Sequence, residues 1–480
     1  MKGLLSKASP PAPISGLGSG DADAINLGRL FTDDGIGEKM RYGGPLHVLV
    51  FGPNGSGKST RLLLPNLLEL EHRSIVVIDP KGELAAISAE FRRDVGQVVV
   101  INPFGVLADR PGYEDLKSEG FNPLLALDPS SPSFNADASL LAEALVSVAP
   151  EGSGKHFDSS ARSLIAAIIM YVCIAAPAAG KPPTLAQVRE LVCQASEPPN
   201  KRNNFEGSGI PALALEMMKS SVRGLRNKAA QFENWSDEIS SVASTARDQT
   251  EFLDDDEIAA DLSRGTFDMR ELKRRPVTVY LILPPDMIKR HAKWLRLVIS
   301  SALRGVMRHR EEGEPRALFA LDEFAALGHM EIIETVWALV RGYGIQIMPI
   351  LQDLNQLKEL YRDRWETFIG MAGAVVGFGA RDLTTAKWMS DRSGETTELA
   401  LGYSTGTSNG QNASTNTSEG MTYNQIKAPF IVPHQFMAMQ DGYMCLWLAR
   451  VANTIPAYAP AYYQVDKLDA RARKNPYHKG

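Results

Sequence analysis

Short runs of consecutive apolar residues punctuate the chain: HVLVF at 47–51, IVVI at 75–78, VVVI at 98–101, VTVYLIL at 277–283, ALFAL at 317–321, IQIMPIL at 345–351 and AVVGF at 374–378. Runs of this length without polar alternation suit strands of a parallel sheet buried on both faces. The first ends in a glycine-rich turn, and residues 61–70 follow with helical spacing, a strand–loop–helix order. Such runs alternating with helical stretches predict an α/β fold with a doubly wound, mostly parallel sheet.

Between residues 181 and 266 the apolar runs vanish and the text turns polar and helical, with acid-dense pieces such as 251–257. This predicts an inserted all-α domain that divides the sheet-forming sequence into a first part, 25–180, and a second, 267–467. Residues 164–179, LIAAIIMYVCIAAPAA, fall short of the ~20 apolar residues that cross a bilayer and contain Pro177. A helix buried in a core is the expectation there. Residues 25–45, broken by Gly35, Gly37, Gly43 and Gly44, read as a turn-rich entry. Residues 1–24 are mostly Pro, Gly, Ser and Ala, and predict a disordered lead-in without a secretory signal. Residues 403–420, nearly all Ser, Thr, Asn and Gly, predict a mobile surface loop. Residues 468–480 are expected to be a flexible tail.

Charge changes this picture little: 51 basic against 56 acidic residues leave a net of −5, so the total demands no nucleic-acid partner. A ring-shaped motor needs Lys and Arg only along its channel. Cys173, Cys193 and Cys445 are far apart and form no CxxC pair, against both a disulfide framework and a structural zinc site. A reducing cytoplasm is the simplest home.

The chemistry begins at Gly52-Pro53-Asn54-Gly55-Ser56-Gly57-Lys58-Ser59, which fits GxxxxGK[ST] in the strand–loop–helix context that the motif requires. Its glycines let backbone N–H groups point at phosphate oxygens, and the helix N-terminus that opens at Thr60 favours negative charge. Lys58 would bridge the terminal phosphates of ATP and the Ser59 hydroxyl would hold Mg2+. These observations predict a RecA-like P-loop ATPase. Asp322 and Glu323 end the run ALFAL. At the carboxyl edge of a strand, Asp322 would complete the Mg2+ shell and Glu323 would polarise the attacking water. An apolar run ending in two acids is also a common strand end, and the P-loop is what makes this pair chemical. Gln352, closing the next run, either contacts the γ-phosphate or caps a loop. Arg341 either reaches a neighbouring subunit's phosphate or is solvated, and Arg381 is a second such candidate. Asp79 and Lys81 contact the nucleotide region or serve as turn and helix-cap residues.

Taken together, these segments resemble the type IV secretion coupling proteins, the TraG-like conjugative ATPases. The resemblance runs through HVLVFGPNGSGKST, SIVVIDPKGEL, VVVINPFG, FNPLLALDP and HFDSSARSLIAAIIMYV. It continues with TLAQVRELV, SVASTARDQTEFLDDDEI, VTVYLILPPD, ALFALDEFAALGHM, LVRGYGIQIMPILQDLNQLKELY and PAYAPAYYQV, in order from about residue 28 to 465. It implies Lys58 and Ser59 at phosphate and magnesium, Asp322 and Glu323 as the acidic pair, Gln352 as γ-phosphate sensor and Arg341 as an arginine acting on the next subunit. It also implies that the helical insertion lies at the cytoplasmic mouth of a hexameric ring and meets cargo or adaptors. Implied partners are DNA, expected as single strands, a relaxase or other cargo protein, and components of the secretion channel. Members of the family usually begin with transmembrane helices and this text has none, so a cytoplasmic protein at the inner face of the membrane is expected, docked through a partner or parted from an anchor.

Two functions follow. One is an ATP-driven coupling motor that recruits and translocates DNA or a protein–DNA complex. The other is an ATP-switched recruitment platform that delivers protein cargo without translocating DNA. Other P-loop classes fit poorly: Asn227-Lys228 is followed by Ala229 and Ala230, so a guanine-reading NKxD lacks its aspartate, and no LSGGQ-like signature occurs.

Overall fold

The computed structural model describes residues 23–32, 34–146, 154–195, 209–308, 314–339, 342–409 and 415–477. Most of the expected lead-in, residues 1–22, lies outside the described residues, and Ala24 is already buried. The apolar runs all form strands: β3 (Val48–Phe51), β4 (Ser74–Asp79), β5 (Gln97–Ile101), β6 (Val277–Ile282), β7 (Ala317–Leu321), β8 (Ile345–Leu351) and β9 (Ala374–Gly377). They are joined by β1 (Ile25–Thr32), β2 (Gly35–Tyr42), β12 (Tyr443–Leu448) and β13 (Ile455–Tyr458) in one sheet of order β2-β1-β13-β12-β9-β3-β8-β7-β4-β6-β5. From β9 to β5 every pair is parallel, while β12, β13, β1 and β2 extend the sheet antiparallel. The expected turn-rich entry at 25–45 is thus corrected to a hairpin at the sheet edge. Gly28 (φ +87°) falls within the first of two register shifts, between Asn26 and Arg29 and between Arg29 and Phe31.

Alternate side chains of a strand leave on opposite faces, and the parallel strands bury both. Leu49 and Phe51, Val76 and Ile78, Val99 and Ile101, and Phe319 and Leu321 belong to one core. Val48 and Val50, Ile75 and Val77, and Leu318 and Ala320 belong to the other, where the helix α1 (Leu64–Leu67) and α2 (Glu83–Val95) cover the sheet. The result is three layers, helix over sheet over helix.

Between β5 and β6 the chain is helical: α3 (Phe134–Leu145), α4 (Gly154–Ala178), α5 (Leu185–Ala195), α6 (Gly209–Met218), α7 (Arg223–Ala229), α8 (Asp237–Thr250) and α9 (Asp256–Asp261). The all-α insertion therefore starts earlier than residue 181, because α4 packs against α3, α5, α7 and α8 and is their common centre. Among the described residues α4 holds the one stretch, His156–Ala178, long and apolar enough to cross a membrane, and 61% of that window is buried inside the protein. The apolar surface is spent on neighbouring helices, as expected of a core helix. Beyond β6, α10 (Ala292–Arg308) lies against α3. The helices α11 (Glu331–Leu339) and α12 (Leu354–Tyr361) follow β7 and β8.

The insertion's entry and exit touch at Gly120 and Gly265, both in left-handed conformation (φ +74° and +85°). A Cβ on Gly265 would lie 2.2 Å from the Gly120 carbonyl oxygen, so only a residue without a side chain permits the approach. Phe121 N–H donates to the Asp261 carbonyl at 3.0 Å beside this crossing.

Two expectations are corrected by the later sequence. Residues 403–420, read as a mobile loop, fall largely within β10 (Glu395–Asn409) and β11 (Thr415–Pro429), a separate antiparallel ribbon in continuous register from Glu395↔Pro429 to Asn409↔Thr415. Polar composition hid it. Ladder bonds satisfy main-chain groups whatever the side chains, and the recurrent Thr residues favour extended backbone. The tail expected to be flexible from 468 begins within the helix Asp466–Asp469 and then runs along α2 to a turn at Pro476 and Tyr477, with Arg473 N–H donating to the Ile87 carbonyl at 2.9 Å. Residues 478–480 lie outside the described residues.

Candidate functional site

The P-loop is anchored where β3 leaves the sheet: Gly52 N–H donates to the Leu351 carbonyl at 3.0 Å, and Ser56 N–H donates to the Pro53 carbonyl at 3.2 Å. Gly55 and Gly57 have φ of +81° and +86°, the left-handed turns that aim successive N–H groups into the loop's hollow. At Gly52 a Cβ would come within 2.8 Å of Ser56 Oγ and 3.2 Å of Lys58 Cδ, so the loop closes only around a glycine. The Ser56 hydroxyl is buried here without a hydrogen-bond partner. After Asn54 and Gly55 at the loop's tip, the chain turns into a wide helical turn, Ser59–Leu63, whose closing bond runs from Leu64 N–H to the Ser59 carbonyl. Pro65 has no N–H for the ordinary helical bond, which accounts for the widened turn just before it. Thr60 Oγ1 donates to the Gly57 carbonyl at 3.3 Å. Lys58 Nζ donates to the carbonyls of Gly52 (2.5 Å) and Pro53 (3.0 Å).

Asp322, from the far half of the sequence, brings its Oδ2 to 3.4 Å from Ser59 Oγ. Burial pushes its carboxyl up to about 6 against the pull of Lys58, with the neighbouring Glu323 adding to the rise. Glu323 is half-buried and also raised by burial, again opposed by Lys58. Burial lowers Lys58, and Asp322 and Glu323 counteract that loss, so the three groups form one electrostatic unit.

The strand order brings in a further acid that sequence reasoning assigned only loosely. β4 lies beside β7 with Ile78 opposite Leu321, which sets Asp79 next to Asp322 at the same edge. Asp79 is buried, accepts from Ala85 N–H at 2.8 Å as a helix cap, and is pushed up to about 7 by burial, with Asp322 contributing. Of the two earlier readings for Asp79 the structure shows the cap. It adds the neighbouring carboxylate, which no local motif signals.

Gln352 follows directly on Leu351, the residue paired with Phe51, and so stands beside Gly52 at the mouth of the P-loop. Helix capping at this edge is done by Asp353, which accepts from Gln356 N–H at 2.9 Å. The cap reading for Gln352 thus passes to its neighbour. Arg381, four residues beyond β9, is exposed and near enough to Lys58 to lower it, on the same chain as the P-loop. Arg341 lies outside the described residues. Lys58, Ser59, Asp322, Glu323 and Gln352 are therefore brought to one edge by three adjacent parallel strands. The donor set fits a hydrated divalent ion bound to a phosphate: one hydroxyl and one carboxylate at 3.4 Å, with a lysine and loop amides alongside.

The chain matches the family model described as type IV secretory system conjugative DNA transfer over residues 14–479. It is 25% identical over 448 residues to the conjugal transfer protein TraG of Escherichia coli, covering 89% of this chain and 67% of that protein. It is 28% identical over 405 residues to the TraG protein of Rhizobium radiobacter (83% and 59%) and 26% identical over 373 residues to the protein VirD4 of Agrobacterium fabrum (75% and 51%). The chain thus spans between half and two thirds of these relatives' length. Among solved structures it is similar to the bacterial conjugative coupling protein TrwBdeltaN70, with a TM-score of 0.62 at 17% identity over 87% of this chain and 85% of that one. It is likewise similar to the plasmid coupling protein TrwB in complex with ADP and Mg2+, with a TM-score of 0.61 at 17% identity over 87% and 86%. The likeness places the RecA-like architecture on firm ground.

Proposed function

Because the chain belongs to the type IV secretory conjugative DNA transfer family, we propose that it is an ATP-hydrolysing coupling motor that recruits DNA, or a protein–DNA complex, and drives it toward a secretion channel. The observation that carries this reading is the meeting of Ser59 and Asp322 beside Lys58, two segments 263 residues apart whose convergence a nucleotide site accounts for.

In the proposed cycle the P-loop amides of residues 52–60 hold the phosphates, and Lys58 swings from its own loop carbonyls onto the terminal phosphate oxygens. Ser59 and Asp322 hold Mg2+, which when bound neutralises charge on the transferred phosphoryl group. Glu323 orients the attacking water, and Gln352 contacts the γ-phosphate and reports its loss. Arg341 of a neighbouring subunit supplies a second cation, while Arg381 adds positive potential from the same chain. A ring, expected to be a hexamer, a relaxase or other cargo, channel components, and a place at the inner face of the membrane complete the proposal. The sheet, the P-loop and the names of the relatives support it.

The test is ATP hydrolysis by the full chain across a range of protein concentrations without DNA, with single-stranded DNA and with duplex DNA, beside Lys58→Ala. Stimulation by DNA that grows with concentration and vanishes in the variant is expected. Hydrolysis lost in the variant but indifferent to DNA would transfer the assignment to the recruitment platform, and none in the unaltered chain would overturn both.

A further inference from the structure

The segment 471–477 carries an alternation absent from its composition. Arg471, Arg473, Asn475 and Tyr477, every second residue, hydrogen-bond to the sheet-bearing body, and the segment ends in a turn at Pro476 and Tyr477. Arg471 donates to the Leu68 carbonyl and to Glu71, both at 2.7 Å. Arg473 donates to the Ala86 carbonyl at 2.8 Å and to Asp115 at 3.1 Å. Asn475 Nδ2 donates to Glu83 Oε1 at 2.5 Å, and the Tyr477 hydroxyl donates to the Lys81 carbonyl at 2.6 Å. The body answers on the segment's own carbonyls: Tyr113 donates to Lys474 at 2.8 Å and Arg110 to Pro476 at 3.2 Å.

The last two of these anchors fall on the turn that follows β4. Asp79 begins that turn, Gly82 closes it with an N–H bond to the Asp79 carbonyl at 3.2 Å, and the left-handed Gly82 (φ +67°) leads into α2. Inside the turn, Asp79 is fixed by Ala85 N–H and faces Asp322. Outside, the turn is gripped by Tyr477 at Lys81 and by Asn475 at Glu83. Two like-charged acids at one edge repel when ionised, so their separation depends on how firmly the turn is held. A catalytic group displaced by about 1 Å costs on the order of a hundredfold in rate.

We propose that the end of this segment, Asn475 to Tyr477, is a strap that sets the geometry of the nucleotide site, with Tyr477 a positioning residue that holds the turn at Lys81 and thereby fixes Asp79 against Asp322. The proposal rests on the reading of Asp322 as a magnesium ligand of an ATPase, and it makes the far end of the chain part of the catalytic edge. Arg471 is the built-in contrast: it grips the body beneath Leu68, away from the turn, and contributes to stability alone.

The test uses the full chain, comparing Tyr477→Phe, which keeps the ring and loses one hydrogen bond, with Arg471→Ala. In Tyr477→Phe, kcat for ATP is expected to fall about three- to tenfold with KM unchanged, and the Mg2+ concentration that half-saturates binding of a non-hydrolysable ATP analogue to rise. Arg471→Ala should lower the melting temperature and leave both quantities unchanged. An unaltered kcat and Mg2+ requirement in Tyr477→Phe overturns the proposal, as does an equal loss in both variants. If the unaltered chain binds the analogue but does not hydrolyse ATP, the ATPase reading fails and the Mg2+ requirement alone decides the strap.

Discussion

Two carboxyl groups side by side at the end of a sheet make stability depend on pH in a fixed direction. Asp79 is pushed up to about 7 and Asp322 to about 6, both above the ordinary aspartate value, chiefly by burial. A raised carboxyl means that the folded chain keeps a proton which the unfolded chain has released. Stability is therefore expected to fall as pH rises above about 4, up to about 6 for Asp322 and about 7 for Asp79, at about 1.4 kcal/mol per pH unit for each group over its own range. Asp79→Asn should flatten that slope by one group, read from urea denaturation at about pH 5 and about pH 7. An unchanged slope would show that Asp79 ionises normally in the folded chain. Lys58, Ser59 and Asp322 were legible as candidate site residues because a P-loop is a local pattern and an acidic strand end is its standard complement. The Asp79–Asp322 pair was not, because it exists only through the placement of β4 beside β7, which no spacing between residues 79 and 322 records.

At the scale of elements, legibility followed the source of the stabilising contacts. Each strand of the parallel core is built on a mostly apolar run, since both its faces are covered, and all were readable. The antiparallel edge strands β1 and β2 have one face less well covered and carry Asn26, Arg29, Lys39 and Arg41 among their apolar residues, so they read as turns. The ribbon β10–β11 and the segment 471–477 draw on main-chain and charged bonds, which leave no apolar trace in the sequence. The start of the helical insertion read differently because residues 164–176 of α4 form one apolar run, which reads as part of any core. The crossing at Gly120 and Gly265 gives an element-scale prediction. Gly265→Ala must relieve a 2.2 Å contact with main chain and hold an alanine at φ +85°, and should cost about 2 kcal/mol or more in chemical denaturation, whereas Gly105→Ala, left-handed but with open space around it, should cost less.

For the whole molecule, the described chain supplies the P-loop, the acids and Gln352 from one copy, while the proposed role of Arg341 requires a second. Mixing inactive Lys58→Ala with Arg341→Ala subunits should then restore hydrolysis above that of either variant alone, because some interfaces in the mixture unite an intact P-loop with an intact arginine. Activities that merely average would place Arg341 outside the chemistry. The order of motifs along the chain made the overall architecture legible: a sheet interrupted by helices and completed afterwards. It gave no sign of where the chain crosses between the two parts. Entry and exit of the insertion meet at a pair of facing glycines, so the chain leaves for the helical body and returns from it at one spot. The ends of the two stretches that flank the insertion are therefore tied to each other at that crossing, whatever length of chain runs between residues 120 and 265.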